Sequence, residues 1–187
     1  FYPFSYEEMQ RLVDATPHQL ELSVHAIAPK VSPNIAVSYF LGLHQAPIGT
    51  RTQCLFAYQD HWFGLDIARS DDGLSIIMLD AANVAKNLVG FASLLKQIRE
   101  HSKATFQFKI SYFAMGLTDK VQKNHYDCSI FAWEHLRWAA QKTDFHQELN
   151  SLGHLSDVKS RECLDSVVTR ARDFLYNSEV KNSEAVL

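Results

Sequence analysis

The sequence predicts an α+β fold with a mixed, mostly antiparallel sheet flanked by helices. A helical segment opens the chain, β-rich runs with alternating apolar residues follow, and apolar residues at helical spacing return in the second half. No repeat, low-complexity tract or long linker divides the sequence. We therefore expect one domain over residues 1–187, in which 144–187 is a candidate helical extension.

The first forty residues carry two helix signals and a strand signal. Ser5 and Glu8 have the spacing of a capping box, which predicts a helix start. Pro17 is favourable at the first position of a second helix, which would end at Pro29. Alternation of apolar and polar residues over 34–40 then predicts a strand.

The middle of the chain has a hairpin signal followed by further helices and strands. Asp72-Gly73 is a typical hairpin turn between two β-rich runs. Apolar residues at helical spacing over 84–102 predict an amphipathic helix. The other predicted elements are strands at 52–58, 62–68, 74–79 and 105–114 and helices at 127–142 and 157–177.

Composition and charge exclude several classes of protein. A net charge of -3 gives no reason to expect a nucleic-acid partner, and no apolar run approaches the ~20 residues of a membrane span. Three cysteines without short spacing and nine scattered histidines predict neither a disulfide framework nor a zinc site. The start has no signal-peptide pattern and no initiator Met, so we expect the sequence to be part of a longer chain.

Cys128 lies where a loop is predicted to become a helix. A helix N-terminus carries partial positive charge and free N–H groups, which favour a thiolate and can stabilise an oxyanion. The position predicts a nucleophile, although a buried cysteine on an apolar helix face would have the same pattern. We expect Cys54 and Cys163 to be small buried hydrophobes.

His61 and Asp80 are the candidate base and orienting acid for that nucleophile. His61 opens one predicted strand and Asp80 ends the next, so the predicted hairpin would bring them to the same end of two paired strands. A surface histidine at a turn and a helix-capping aspartate are the alternative interpretations. Gln122, six residues before Cys128, is a candidate oxyanion-hole donor.

The order of these four residues is similar to that of the ubiquitin-like protease (CE) clan of cysteine enzymes. Residues 122–132 resemble the clan's Gln…(Asp/Glu)-Cys-Gly-x-Phe segment, with Ser129 in place of the glycine. The His61-Trp62 pair resembles the His-Trp of its SUMO and ubiquitin-like proteases. The resemblance implies the cysteine protease-like fold of that clan.

Within the clan, the sequence is more similar to the YopJ family of bacterial effectors, from about residue 26 to about residue 140. The motif from His61 to Asp66 resembles that family's His-x-x-Ala-x-Asp. The stretch from Asp72 to Asp80 resembles its Asp-Gly-Lys-Thr-Ser-(Leu/Ile)-Ile-Leu-(Leu/Phe)-Glu. The resemblance implies that Asp80 holds the acidic position of a catalytic triad.

The YopJ resemblance implies a secreted acetyltransferase that acts in the host cytoplasm. Acetyl-coenzyme A (acetyl-CoA) would acylate Cys128, and the acetyl group would pass to Ser, Thr or Lys of a host signalling protein. Inositol hexakisphosphate (IP6) would be a candidate activator, bound to a basic helical surface outside the triad. The basic residues near the C-terminus, which also fit an ordinary solvated face, are Lys159, Arg161, Arg170 and Arg172.

Two other functions remain open on the sequence. A deubiquitinase or ubiquitin-like protease would use the same residues in the same roles, with water as the acceptor and ubiquitin or a ubiquitin-like protein as partner. A binding module would keep the fold without the chemistry. Thiol reactivity at Cys128 separates the binding module from both enzymes.

Overall fold

Among the described residues, five strands form one mixed sheet whose spatial order follows the sequence. The computed structural model describes residues 4–27, 34–58, 61–80, 85–102, 108–114 and 128–147. Three central strands pair antiparallel, and an outer strand pairs parallel on each side. The strands are β1 (Leu22–Ile27), β2 (Arg51–Tyr58), β3 (His61–Ser70), β4 (Gly73–Asp80) and β5 (Phe108–Ala114).

In the part of the chain that the structure describes, four helices cover the two faces of the sheet. Buried residues of the first and last helices share one apolar cluster with the sheet, and buried residues of the two middle helices share the other. None of the helices within the described ranges has the length and apolar character needed to cross a membrane. The helices are α1 (Tyr6–Ala15), α2 (Asn34–Gln45), α3 (Ala85–Ser102) and α4 (Cys128–Ala140).

The hairpin between β3 and β4 sets the register that positions the site. Gly73 pairs with Ser70 and has a φ of 127°, a conformation that favours glycine. From this turn, β3 and β4 stay paired residue by residue as far as Gly64, which pairs with Leu79. Because the turn is this tight, the first residue of β3 and the last residue of β4 reach the same end of the sheet.

Two predictions in the first half of the chain are wrong. The second N-terminal helix is absent, because residues 22–27 form β1, which pairs with β2. The strand predicted over 34–40 is the start of α2. Ala36 and Phe40 are buried four residues apart and Leu43 packs against the same cluster, which is helical spacing.

The remaining predicted elements agree with the structure to within a few residues. Ser5 caps α1 in a capping box with Glu8, as the spacing indicates. The fold class is confirmed: an α+β fold with a mixed sheet and flanking helices. The helix predicted over 157–177, Cys163, Gln122 and all of 144–187 beyond residue 147 lie outside the described residues.

Candidate active site

The three candidate catalytic side chains stand at the ends of three different elements. His61 is the first residue of β3, Asp80 is the last residue of β4, and Cys128 is the first residue of α4. Such positions aim side chains out of rigid elements while the backbone behind them stays fixed. The structure brings all three together at one end of the sheet.

His61 and Asp80 form a direct contact across the end of the hairpin. The distance from His61 Nε2 to Asp80 Oδ1 is 2.8 Å. The Asp80 side chain is fully buried, whereas the His61 side chain is 17% exposed. Since a carboxylate only accepts, Nε2–H donates to Asp80, and Nδ1 is the ring nitrogen left to face a nucleophile.

Cys128 is the second partner of the His61 ring. Burial lowers the pKa of His61, but hydrogen bonds with Asp80 and with the Cys128 thiol, and the charges of both groups, raise it to about 9. His61 is therefore an imidazolium at neutral pH. Cys128 itself is 2% exposed and is the first residue of α4, where the N–H groups of the first turn have no partner within the helix.

Cys54 provides an internal comparison with Cys128. It is fully buried in β2, and burial raises the pKa of its thiol to about 12. Its Sγ donates to the carbonyl of Leu55 at 3.4 Å. Cys54 is thus the small buried hydrophobe that the sequence predicts, and its surroundings do not favour a thiolate.

His135 is a buried polar residue beside the site that the sequence analysis did not identify. It lies two turns after Cys128 on α4 and is fully buried. Neither ring nitrogen has a hydrogen-bond partner among the described residues. Burial lowers the pKa of His135 to about 3, against the opposing influence of the Asp80 charge, so the ring is neutral. Seven-residue spacing from Cys128 is the only sequence signal for it.

The described part of the chain holds no group of three or more His, Cys, Asp or Glu side chains arranged to bind a metal ion. Gln122 lies outside the described residues, so its part in an oxyanion hole stays a prediction. The chemistry that the geometry supports is that of a thiol beside an imidazole held by a buried carboxylate.

The α+β fold is shared with the solved structures of AvrA and HopZ1a. The chain belongs to the YopJ serine/threonine acetyltransferase family, whose model matches residues 2–176. A search of curated proteins finds no match. The family prediction made from the motifs around His61, Asp80 and Cys128 is confirmed.

The fold is shared with solved structures of other proteins. HopZ1a in complex with IP6 has 14% identity and a TM-score of 0.54, covering 87% of this chain and 53% of that chain. An AvrA deletion variant with IP6 and CoA has 14% identity and a TM-score of 0.50, covering 77% and 53%. The central domain of the uncharacterized Lpg1148 protein from Legionella pneumophila has 12% identity and a TM-score of 0.57, covering 100% of both chains. This chain thus spans about half the length of AvrA and HopZ1a.

Proposed function

We propose that the protein is a cysteine-dependent acetyltransferase that moves an acetyl group from acetyl-CoA to Ser, Thr or Lys of a host protein through an acyl-Cys128 intermediate. Family membership supports the reaction class. The single observation that carries the proposal is that the His61 ring contacts both Asp80 and the Cys128 thiol. Nucleophile, base and orienting acid are then all present in one place.

In the first half-reaction, the Cys128 thiolate attacks the thioester carbonyl of acetyl-CoA. The backbone N–H of Cys128 and the side-chain amide of Gln122 stabilise the oxyanion. The intermediate collapses, the bond to the coenzyme A sulfur breaks, and the His61 imidazolium protonates the departing thiolate. The products are acetyl-Cys128, free coenzyme A and a neutral His61.

In the second half-reaction, His61 has to act as a base. Acetylation of Cys128 removes the hydrogen bond and the charge through which the thiol raises the pKa of His61. The pKa of His61 then falls, which favours the neutral ring that accepts the proton of the acceptor hydroxyl or amine. Asp80 keeps the ring oriented throughout through its contact with Nε2. The acceptor attacks the thioester, and Cys128 leaves as a thiolate.

Acetyl-CoA as co-substrate and IP6 as activator are part of the same proposal. AvrA was solved with IP6 and CoA, and HopZ1a with IP6. The candidate basic residues for IP6, at 159, 161, 170 and 172, lie outside the described residues. We expect the acceptor to be a host signalling protein, reached after secretion into the host cytoplasm.

Intact-mass spectrometry with acetyl-CoA, with and without IP6, tests the proposal. We expect a gain of acetyl groups in the unmodified protein and in Cys54→Ala, and none in Cys128→Ala. Cys54→Ala is the matched control because it removes another buried thiol that has no contact with His61. Equal acetylation of Cys128→Ala and the unmodified protein would refute the acyl-Cys128 intermediate.

A ubiquitin-like protease activity is the second candidate, and the His61-Trp62 pair favours it. The same side chains would hydrolyse an isopeptide bond, with water attacking the acyl-Cys128. An electrophilic probe built on ubiquitin or SUMO distinguishes the two. A covalent adduct at Cys128 without acetyl transfer would assign the protein to the protease branch.

A further inference from the structure

A second polar cluster lies near the C-terminal end of α4, away from Cys128. Its centre is the fully buried carboxylate of Asp66 on β3. Arg51 contacts it with two nitrogens, Nε to Oδ1 at 2.8 Å and Nη2 to Oδ2 at 2.9 Å. Gln53 Nε2 donates to Oδ2 at 2.7 Å, and His146 Nε2 lies 2.8 Å from Oδ1. We call these four residues the Asp66 cluster.

The Asp66 cluster binds the end of α4 to the sheet. Arg51 Nη2 donates to the carbonyl of Ala139 at 2.8 Å, and Arg51 Nη1 donates to that of Lys142 at 2.5 Å. Gln53 Nε2 donates to the carbonyl of Leu136 at 2.8 Å. A cation at the C-terminus of a helix interacts favourably with the carbonyl groups that have no partner within the helix and with the negative end of the helix dipole. The cluster therefore fixes where this end of α4 rests.

Gly64 provides a pivot between the two ends of α4. A Cβ atom added at Gly64 would lie 2.8 Å from Leu136 Cγ and 3.2 Å from the carbonyl oxygen of Ala132. The helix thus rests on the backbone of β3 at this point. With 13 residues, α4 is roughly 20 Å long and moves as a rigid rod. A tilt at its C-terminal end moves Cys128 at the other end.

The Asp66 cluster is not a second catalytic site, although two of its members form a Ser–His–Asp series with Ser75. His146 Nδ1 lies 3.0 Å from Ser75 Oγ. Ser75 lies inside β4, paired with β3 on one side and β5 on the other, and not at the end of an element as Cys128, His61 and Asp80 do. The charge of Asp66 is also matched by Arg51. What the arrangement does provide is a fixed link from α4 and the segment after it to three strands.

We propose that the Asp66 cluster positions the nucleophile: by fixing the tilt of α4 on the sheet, Arg51, Gln53 and Asp66 set the distance between the Cys128 thiol and the His61 ring. This inference rests on the proposed roles of Cys128 and His61. Arg51, Gln53 and Asp66 are positioning residues, since they touch the reacting atoms only through α4 and β3. Misplacing a reacting group by ~1 Å costs up to about 100-fold in rate.

Two conservative substitutions test the cluster. Gln53→Met keeps the side-chain volume and removes both contacts of the amide nitrogen. Arg51→Lys keeps the charge and removes the planar pair of contacts with Asp66. The control is Ile98→Val, a buried change in α3 on the opposite face of the sheet. Urea unfolding checks that each variant folds and shows how far each loses stability.

The measurements are the rate at which iodoacetamide alkylates Cys128 at pH 7 and the titration of the His61 ring by NMR, assigned with His61→Gln. We expect both cluster variants to lose roughly tenfold in alkylation rate. We also expect their His61 pKa to fall from about 9 toward the ordinary 6.5. Ile98→Val should change neither. Cluster variants that fold and match the unmodified protein in both measurements would overturn the inference. If Arg51→Lys does not fold, the result for Gln53→Met alone decides whether the inference holds.

Failure of the proposed function would have a different signature. The alkylation rate and the His61 titration require no acetyl-CoA. If they respond to the cluster variants while acetyl transfer is absent, the positioning inference stands and the acetyltransferase proposal fails. If the unmodified protein alkylates Cys128 no faster than His61→Gln does, the proposed pairing of Cys128 with His61 is wrong and the inference is overturned with it.

Discussion

At the residue scale, His61 has two neighbours whose effects differ in duration. Asp80 raises the pKa of His61 throughout the cycle, whereas Cys128 raises it only while the thiol is free. Protonation of His61 is therefore favoured before acylation, and the neutral base is favoured more afterwards. A single histidine can serve both half-reactions because its second neighbour is also the nucleophile.

Asp80→Asn should distinguish the role of Asp80 in orienting the His61 ring from its contribution to packing. The substitution keeps the shape of the buried side chain but removes its charge and weakens its acceptance of the Nε2–H bond. We expect the His61 pKa to fall from about 9 toward 6.5, and acetyl transfer to fall by about 10³-fold or more. His61 titration by NMR and acetyl-transfer rates measure the two effects. An unchanged His61 titration would show that Asp80 does not hold the ring.

The raised His61 pKa also predicts a pH dependence of stability. The pKa of His61 is about 9 in the folded protein against an ordinary 6.5, so folding favours the protonated ring. This stabilisation is complete below pH 6.5 and is lost as the pH rises through 9. It amounts to on the order of 3 kcal/mol. Urea unfolding from pH 6 to pH 10 should show the loss in the unmodified protein and a much smaller one in His61→Gln; parallel curves would contradict the prediction.

Local sequence features anticipated the contact between His61 and Asp80, but not the rest of the polar network. The two residues are 19 positions apart, and a tight hairpin is enough to place them side by side. The contact between Asp66 and His146 spans 80 positions, and that between Arg51 and Lys142 spans 91. Such pairs depend on how α4 returns to the sheet, which no local pattern encodes. The catalytic roles of Cys128, His61, Asp80 and Gln122 stay predictions until the variants are measured.

At the element scale, tertiary pairing decided the two segments that the sequence analysis got wrong. Residues 22–27 have alternating apolar positions, and they pair with β2 as a parallel strand. Residues 34–45 combine apolar residues at both strand and helix spacing. Burial of Ala36 and Phe40 on one face selects the helix. Where the local signal fits both a strand and a helix, tertiary contacts determine which of the two forms.

The close approach of α4 to β3 predicts a specific effect of Gly64→Ala. The new methyl group would meet Leu136 Cγ and the carbonyl oxygen of Ala132, so α4 must move away from the sheet. We expect a loss of about 1–3 kcal/mol in the free energy of unfolding and slower alkylation of Cys128. Gly42→Ala is the matched control, since nothing lies within 4 Å of a Cβ there, and in a helix it should be neutral or stabilising. Equal effects of both substitutions on the alkylation rate of Cys128 would show that the close contact between α4 and β3 at Gly64 does not position Cys128.

At the scale of the whole molecule, the two described thiols report on different events. Cys128 lies at one end of the sheet beside the His61 ring, whereas Cys54 lies in β2, fully buried in the apolar cluster that α2 and α3 cover. We expect iodoacetamide to reach Cys54 only after the sheet and its helices separate, because the opening of core strands takes up to the global free energy of unfolding. The labelling of Cys54 therefore measures global unfolding.

We expect iodoacetamide to label Cys128 in the native protein while Cys54 stays unmodified, with burial holding the pKa of the Cys54 thiol near 12. Urea should raise the labelling of Cys54 along the same transition that circular dichroism records, until both cysteines react alike. Peptide mapping resolves the two sites and separates them from Cys163. Labelling of Cys54 at low urea, ahead of the global transition, would show that the face of the sheet under α2 and α3 opens independently of the face that holds α4 and Cys128. The fold would then consist of two units of unequal stability.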